Sequence, residues 1–265
     1  MSIFVTGDCH GNVRKFNNSS FPEQKELTKN DTVIICGDFG LVWEKEESPN
    51  EKHWLDWLEN KTYTTVFVDG NHENHDRLTT YPVKKWNGGR VHEVRPHVLH
   101  LMRGEVYDVE GVKVLAFGGA RSHDIRDGIL DGNDPEWKSQ AKYLDSIGKY
   151  MFRVKGVSWW ESELPSKEEM ENGIQNLKKY DFKVDYVVSH CAPTFVQAYM
   201  FCGAYEHDIL TDYFQSLIYD HGLDFKYWFF GHYHDDRRML DKFGLLYDQI
   251  TEIPCGRRMI FEKEK

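Results

Sequence analysis

A mixed α/β domain built on two sheets is the fold that this 265-residue chain predicts. Two observations carry the prediction. Short apolar runs, rich in β-branched and aromatic residues, stop one after another at clusters of Gly, Asp, Asn and His, as strands buried on both faces do. Segments of helical period lie between them, and runs of consecutive strands follow, a succession that occurs twice along the chain.

Taken in order, the buried strands are Ile3–Thr6 before GDCH, Thr32–Cys36 before GDFG, Thr65–Val68 before DGNHE, Tyr186–Val188 before SHCAP and Tyr227–Phe230 before GHYH. A helix is expected at His53–Lys61, where Trp54, Leu55, Trp57 and Leu58 recur at helical spacing. Residues 90–118 read as consecutive strands with a tight turn at Val109-Glu-Gly-Val112. Ser166 to Glu169 after Pro165 forms a capping box, so a helix is expected over about 167–179. Leu210, Tyr213, Phe214, Leu217 and Ile218 mark one buried helix face, and Asp235–Glu262 reads as a further antiparallel set. Two stretches fit no period: the Glu-rich loop 43–51 and the Gly-, Asp- and aromatic-rich stretch 121–160, both read as irregular insertions and candidate lid or specificity loops. No internal repeat or composition break marks a second domain, so residues 1–265 are expected to form one.

The composition narrows the class. No apolar run approaches the roughly 18 residues of a membrane span, and the start shows no basic segment followed by a long apolar one. Five cysteines, an odd number with no CxxC pair, argue against a disulfide framework. The expected compartment is the cytoplasm, without a membrane partner. A formal charge of −10 disfavours nucleic acid as a partner while leaving room for a local basic patch.

The chemistry lies in the clusters. One Asp-x-His pair, or one glycine turn after a strand, is an ordinary turn signal. Five such clusters ending five buried strands are not explained as independent turns. Together they offer Asp8, His10, Asp38, Asn71, His190, His232 and His234, all oxygen or imidazole donors suited to divalent cations. Cys9, Cys36 and Cys191, beside these positions, read as small packing residues, since no phosphate-cradling loop accompanies them.

The ordered series GDCH, GDFG, GNHE, SHCAP, GHYH, spanning residues 7–234, resembles the signature of the calcineurin-like metallophosphoesterase superfamily. The resemblance implies a four-layer α/β/β/α sandwich of two mixed sheets flanked by helices. It implies two metal ions, one held by Asp8, His10 and His234, the other by Asn71, His190 and His232, with Asp38 bridging. It further implies hydrolysis of a phosphodiester or phosphomonoester by in-line attack of a hydroxide shared by the ions, with His72 as the non-ligand proton donor. Such a pair clamps both oxygens of a displacement at phosphorus and acidifies a shared water, and a bridging carboxylate offsets the repulsion of two close dications. Mixed nitrogen and oxygen donors suit manganese first, then iron or zinc.

The sequence departs from the superfamily's protein phosphatases, whose GD block continues with an Asp-Arg pair that orients the histidine and grips phosphate. Here the block reads Asp38-Phe-Gly-Leu-Val-Trp43, which leaves Glu44 or Glu73 to orient His72. The phosphate grip is expected from Arg121 and His123 of GGARSHD, or from Arg77 just past GNHE. Trp159 and Trp160 read as lid packing. The substrate class expected is a small or nucleotide-type phosphate ester. The alternatives are a nuclease acting on DNA or RNA ends, and a non-catalytic scaffold, which the full set of ligands argues against. The oligomeric state is left open.

Overall fold

A computed structural model describes residues 2–253. In chain order the strands are β1 (Ile3–Thr6), β2 (Thr32–Ile35), β3 (Thr64–Phe67), β4 (Val83–Trp86), β5 (Gly89–Arg95), β6 (Val98–Leu101), β7 (Glu105–Val109), β8 (Val112–Phe117), β9 (Gly128–Asp131), β10 (Phe152–Lys155), β11 (Tyr186–Ser189), β12 (Tyr227–Phe230), β13 (Arg237–Met239), β14 (Phe243–Leu245) and β15 (Ile250–Ile253). The helices are α1 (Pro49–Glu59), α2 (His75–Leu78), α3 (Trp137–Ser146), α4 (Lys167–Lys178), α5 (Thr194–Phe201) and α6 (Ile209–Tyr219).

Two large mixed sheets form, one ordered β15-β1-β2-β3-β6-β5-β4 and the other β13-β14-β12-β11-β8-β7. Strands β1, β2 and β3 run parallel to one another in the first sheet, and β8, β11 and β12 run parallel in the second. The period-two alternation of each strand sends its side chains to two different cores, which is why these runs are apolar throughout. Val5, Ile34 and Val66 from one sheet meet Ala116, Val188 and Phe229 from the other in a central core. Phe4, Val33, Ile35 and Phe67 face outward onto Leu55 and Leu58 of α1. On the far side Val187, Trp228 and Phe230 pack against Leu177 of α4, Val196 of α5 and Leu210 and Phe214 of α6. Three cores between two sheets and two helical flanks make the four layers.

Local detail explains where elements start. Helix α4 begins at Ser166, whose side chain accepts from Glu169 N while Glu169 reaches back, as its capping box predicts. Helix α1 starts earlier than the aromatic stripe alone indicates: Ser48, Pro49 and Glu51 form a second capping box with proline in the first turn. The end of the Glu-rich loop 43–51 is therefore helical. The turn at 109–112 places Glu110 and Gly111 at φ of 51° and 85°, closing the β7–β8 hairpin. Helix α5 carries no apolar period that announces it.

The stretch 121–160 is also ordered, contrary to its reading as an irregular insertion. It contains β9, α3 and β10, with β9 and β10 paired in parallel as a small separate sheet. Its polar, weakly periodic sequence hides these elements because none of the residues of α3 is buried. In the tail, β13 and β14 pair antiparallel, but β14 lies parallel to β12 and β15 crosses to the first sheet beside β1. The part of the expected antiparallel set over 254–262 lies outside the described residues. Among the described residues, no helix is long and apolar enough to cross a membrane.

Candidate metal centre

The parallel strands of both sheets end on one side of the molecule, and their loops interlock. The amides of Cys9 and His10 donate to Asp38 O at 2.9 and 2.7 Å, Gly231 N donates to His190 O at 3.0 Å, and His232 N donates to Asp8 Oδ1 at 3.0 Å. Interlocking at this distance needs bare backbone at two points. A Cβ on Gly70 would run into Asp38 Oδ1, and one on Gly231 would run into Asp8 Oδ1.

Six of the seven candidate ligands converge in two groups. Asp8, His10, Asp38 and His234 present donor atoms within 4.8 Å of one another, and Asp38, His190 and His232 do the same, so Asp38 belongs to both groups. His190 Nε2 lies 3.1 Å from Asp38 Oδ1, and His234 Nε2 lies 3.2 Å from Asp8 Oδ2. Four of these residues, His10, Asp38, His232 and His234, hold φ of 47°, 45°, 71° and 49°. The left-handed region costs an ordinary residue roughly 1–2 kcal/mol, a cost that function rather than packing justifies.

The donors fit divalent cations on three grounds. Asn71 Oδ1 is buried without a hydrogen-bond partner, which is expensive unless something completes it. The Nδ1 of His190 donates to Cys36 O at 2.7 Å, which aims Nε2 at the cluster. His10 Nε2 and His234 Nε2 face each other at 3.0 Å beside the Asp8 and Asp38 carboxylates, an arrangement that a shared cation suits.

The buried charges act on one another: burial opposes protonation of His190, yet Asp38 and then Asp8 outweigh it and raise its pKa to about 10. Burial opposes ionisation of Asp8, yet hydrogen bonds from His10 and His234 outweigh it and hold the carboxyl well below its usual range. Burial likewise opposes ionisation of Asp38, and His190 overcomes it. Burial pushes His232 down to about 3, so its imidazole is a neutral, ligating form.

His72 sits at the rim. Its amide donates to Asp38 Oδ1 at 2.9 Å, and its ring stands edge-on to His10 with centroids 4.8 Å apart and stacks on Trp43 at 5.6 Å. Neither carboxylate expected to orient it does so. Glu73 turns inward to accept from Gly40 N and Gly70 N, and burial, then Asp38, raise its pKa to about 8. Among the described residues no carboxylate bonds the His72 ring. Its Nε2 instead meets a guanidinium nitrogen of Arg153 at 3.3 Å. No motif marks Arg153 in the sequence; only the docking of the 121–160 stretch onto the loops exposes it.

The expected phosphate-gripping residues divide. His123 lies beside the cluster, its ring 5.7 Å from that of His232. Arg121 is half-exposed and 3.6 Å from Glu206. Both line a cavity of about 580 Å³ with Arg126, Tyr205 and His232. The structure leaves Arg77 out of the cluster: its guanidinium is buried, at 3.0 Å from both oxygens of Glu51 and 2.9 Å from Glu44 O. Trp160 donates to Asp76 Oδ2 and Trp159 to Glu163 Oε1, each at 3.0 Å, so both tie the insertion down. Cys9, Cys36 and Cys191 are buried free thiols whose pKa burial raises.

Comparison with known proteins places this geometry in context. The model of the calcineurin-like phosphoesterase family matches residues 1–236. The lariat debranching enzyme A of Xenopus laevis is 29% identical over 145 residues, which cover 49% of this chain and 26% of the relative. The human lariat debranching enzyme is 23% identical over 259 residues, covering 88% of this chain and 42% of the relative. The chain thus spans well under half the length of these relatives. The crystal structure of a phosphopantetheinyl hydrolase from Mycobacterium tuberculosis aligns over 93% of this chain and 90% of its own at 15% identity, with a TM-score of 0.41.

Proposed function

From the premise that this chain belongs to the calcineurin-like phosphoesterase family, we propose that it is a dimetal phosphodiesterase acting on short nucleotide-type substrates. Asp8, His10 and His234 would hold one divalent ion, Asn71, His190 and His232 the other, and Asp38 would serve both. When bound, such a pair acidifies a shared water and stabilises charge on the oxygens of an in-line displacement at phosphorus.

The chain's own residues supply the remainder. Asp8 and Asp38, kept ionised inside the fold, offer fixed negative charge that needs no rearrangement when substrate arrives. His72 hands a proton to the departing oxygen. Burial lowers its pKa, Asp38 pulls the other way, and Arg153 adds to the lowering, which makes the imidazolium a stronger acid toward an alkoxide. The interlocked loops keep these groups in register, and the insertion carrying Trp160 packs on Trp43, whose ring covers His72.

The observation that carries the reading is the two donor clusters, six Asp and His residues in all, that share Asp38, together with the buried, unpartnered Asn71 Oδ1. The diester preference follows the relatives named for debranching lariats. The net charge of −10 favours a short substrate over a long polyanion.

Chelation followed by add-back tests the proposal. Bis-p-nitrophenyl phosphate hydrolysis is expected to vanish on metal removal and return with manganese, iron or zinc. Cyclic nucleotides, dinucleotides and branched or linear oligonucleotides then rank the substrates. Full activity in protein shown to be metal-free by elemental analysis would end the dimetal reading.

A further inference from the structure

We propose that Arg153, carried by the 121–160 insertion, is a substrate-phosphate ligand of this active site, working beside His72 as the cation that the GDFG block does not provide. The proposal rests on the phosphoesterase reading of the strand-end cluster.

The guanidinium is built to be held still and to keep one edge free. Asp124 accepts from its Nε at 2.8 Å through both carboxylate oxygens and from an NH2 hydrogen at 2.7 Å, and Ser158 O accepts from NH1 at 3.1 Å. Of the five N–H donors of an arginine, another NH2 hydrogen points at His72 Nε2, 3.3 Å away. The side chain is 11% exposed, so the fork does not wander in solvent. A guanidinium pressed against an imidazole gains little from that neighbour. Once His72 carries its proton, imidazolium and guanidinium become two donors side by side at the rim of the donor cluster, where a non-bridging phosphate oxygen accepts from both.

Three other cations near the cluster, Lys15, Arg77 and Arg103, are occupied. Lys15 donates to the carbonyls of Gly7, Asp8 and Tyr247, Arg77 is buried on Glu51, and Arg103 is buried on Asp69 with further bonds to the carbonyls of Ser162 and Glu163. Arg121 faces Glu206 instead. Among the described residues Arg153 is the arginine whose guanidinium reaches the ring of a proposed catalytic residue.

Its position on a strand of the insertion also gives the insertion a task. The base of the insertion is clamped where Ser122 N and Oγ donate to Glu163 at 2.8 Å each, and Trp160 pins it to Asp76. The clamp sets the register of β10, and β10 sets Arg153. An ordered insertion with few apolar contacts of its own thereby delivers one charge to one place.

The test uses metal-loaded wild type, Arg153→Ala, Arg153→Lys and His72→Ala, with inorganic phosphate as the binding probe and two diesters that differ in leaving-group basicity. Arg153→Ala is expected to keep its metals by elemental analysis, to bind inorganic phosphate at least ~10-fold more weakly by calorimetry, and to lose about 10²-fold in kcat/KM, in the range for one transition-state donor. The loss should be equal for both leaving groups and partly restored by added guanidinium ion. His72→Ala should instead lose activity in proportion to leaving-group basicity. Arg153→Lys, which keeps the ion pair with Asp124 but not the fork, should fall between, and it guards against a collapsed insertion in the alanine variant. Unchanged phosphate affinity in Arg153→Ala would overturn the proposal, as would a loss that tracks the leaving group, which would make Arg153 a positioning residue for His72. Wild type that binds phosphate through Arg153 but hydrolyses no ester would overturn the phosphoesterase reading and leave the anion site standing.

Discussion

The strand-end loops and the 121–160 insertion meet at His72, and they are made by opposite means. In the loops every candidate ligand but His10 and His234 is buried, the backbone is held at positive φ at four of those ligands, and carboxylates, imidazoles and amides lock one loop onto the next. In the insertion α3 buries nothing, Tyr143 and Tyr150 are 64% and 71% exposed, and the ends are joined to the body by polar ties at Ser122 and Trp160 and by the Trp160 ring against Trp43. The contrast separates two requirements. Metal ions demand donors fixed to within a fraction of an ångström, which only a packed and strained core supplies. Substrate recognition needs a few well-placed groups, which a thin layer on polar anchors can present and exchange without disturbing the centre.

If that division is right, damage in the loops is felt by the ions and damage in the insertion is not. Asp38→Asn is the largest case. It removes half the carboxylate charge shared by the two donor groups while leaving an amide oxygen to accept from His72 N. Several kcal/mol of charge stabilisation are at stake, so kcat/KM should fall about 10³-fold or more, and metal content should drop more than for any single histidine replacement. Elemental analysis and diester kinetics check this. Equal metal loss across Asp38→Asn, His10→Ala and His232→Ala would remove the bridging role and blur the comparison.

A second case sharpens it from outside the site. Arg77 follows the GNHE block so closely that the sequence offers it to phosphate, yet the fold spends it on Glu51, which caps α1. Arg77→Met should lower unfolding free energy by about 3 kcal/mol, the scale for leaving a buried carboxylate unpaired. The kcat per folded molecule should stay near wild type. Denaturant unfolding beside active-site kinetics separates the two, and a selective loss of kcat at unchanged stability would return Arg77 to the site.

What the sequence reveals follows the same division. Asp8, Asp38 and the histidines are visible because each ends a run such as Ile3–Thr6 or Tyr227–Phe230 whose two faces feed two cores, so apolarity and ligand appear side by side. The helix faces at Leu210–Leu217 and the Ser166 capping box are visible because period and cap are local. The start of α1 was obscured by the Glu-rich composition before it, although Ser48-Pro-Asn-Glu51 holds the cap signal. Arg153 had no such signal: it lies within a four-residue strand, and its meaning comes from Asp124, 29 residues away, and His72, 81 residues away. Long-range polar contacts across a surface layer leave no periodicity to read.

The smallest predicted effect concerns the joint between the two regions. Glu163 accepts from Ser122 N, Ser122 Oγ and Trp159 Nε1 at the base of the insertion. Burial raises its pKa from 4.5 to about 7, although those three donors and Arg153 favour the charged form. A carboxyl that holds its proton more tightly when folded contributes stability that is fully present below about pH 4.5 and is lost as the pH rises through about 7. Wild type should therefore lose about 1–2 kcal/mol from this group between pH 5 and 8, a fraction of the full linkage because the joint relaxes and admits water. Glu163→Gln cannot ionise, so its unfolding curves should show a flatter pH dependence than wild type, by a difference of that size, with metal content unchanged. Parallel pH profiles for the two proteins would mean that Glu163 stays charged throughout, held by its donors against burial, and that the insertion is fastened as firmly at pH 8 as at pH 5.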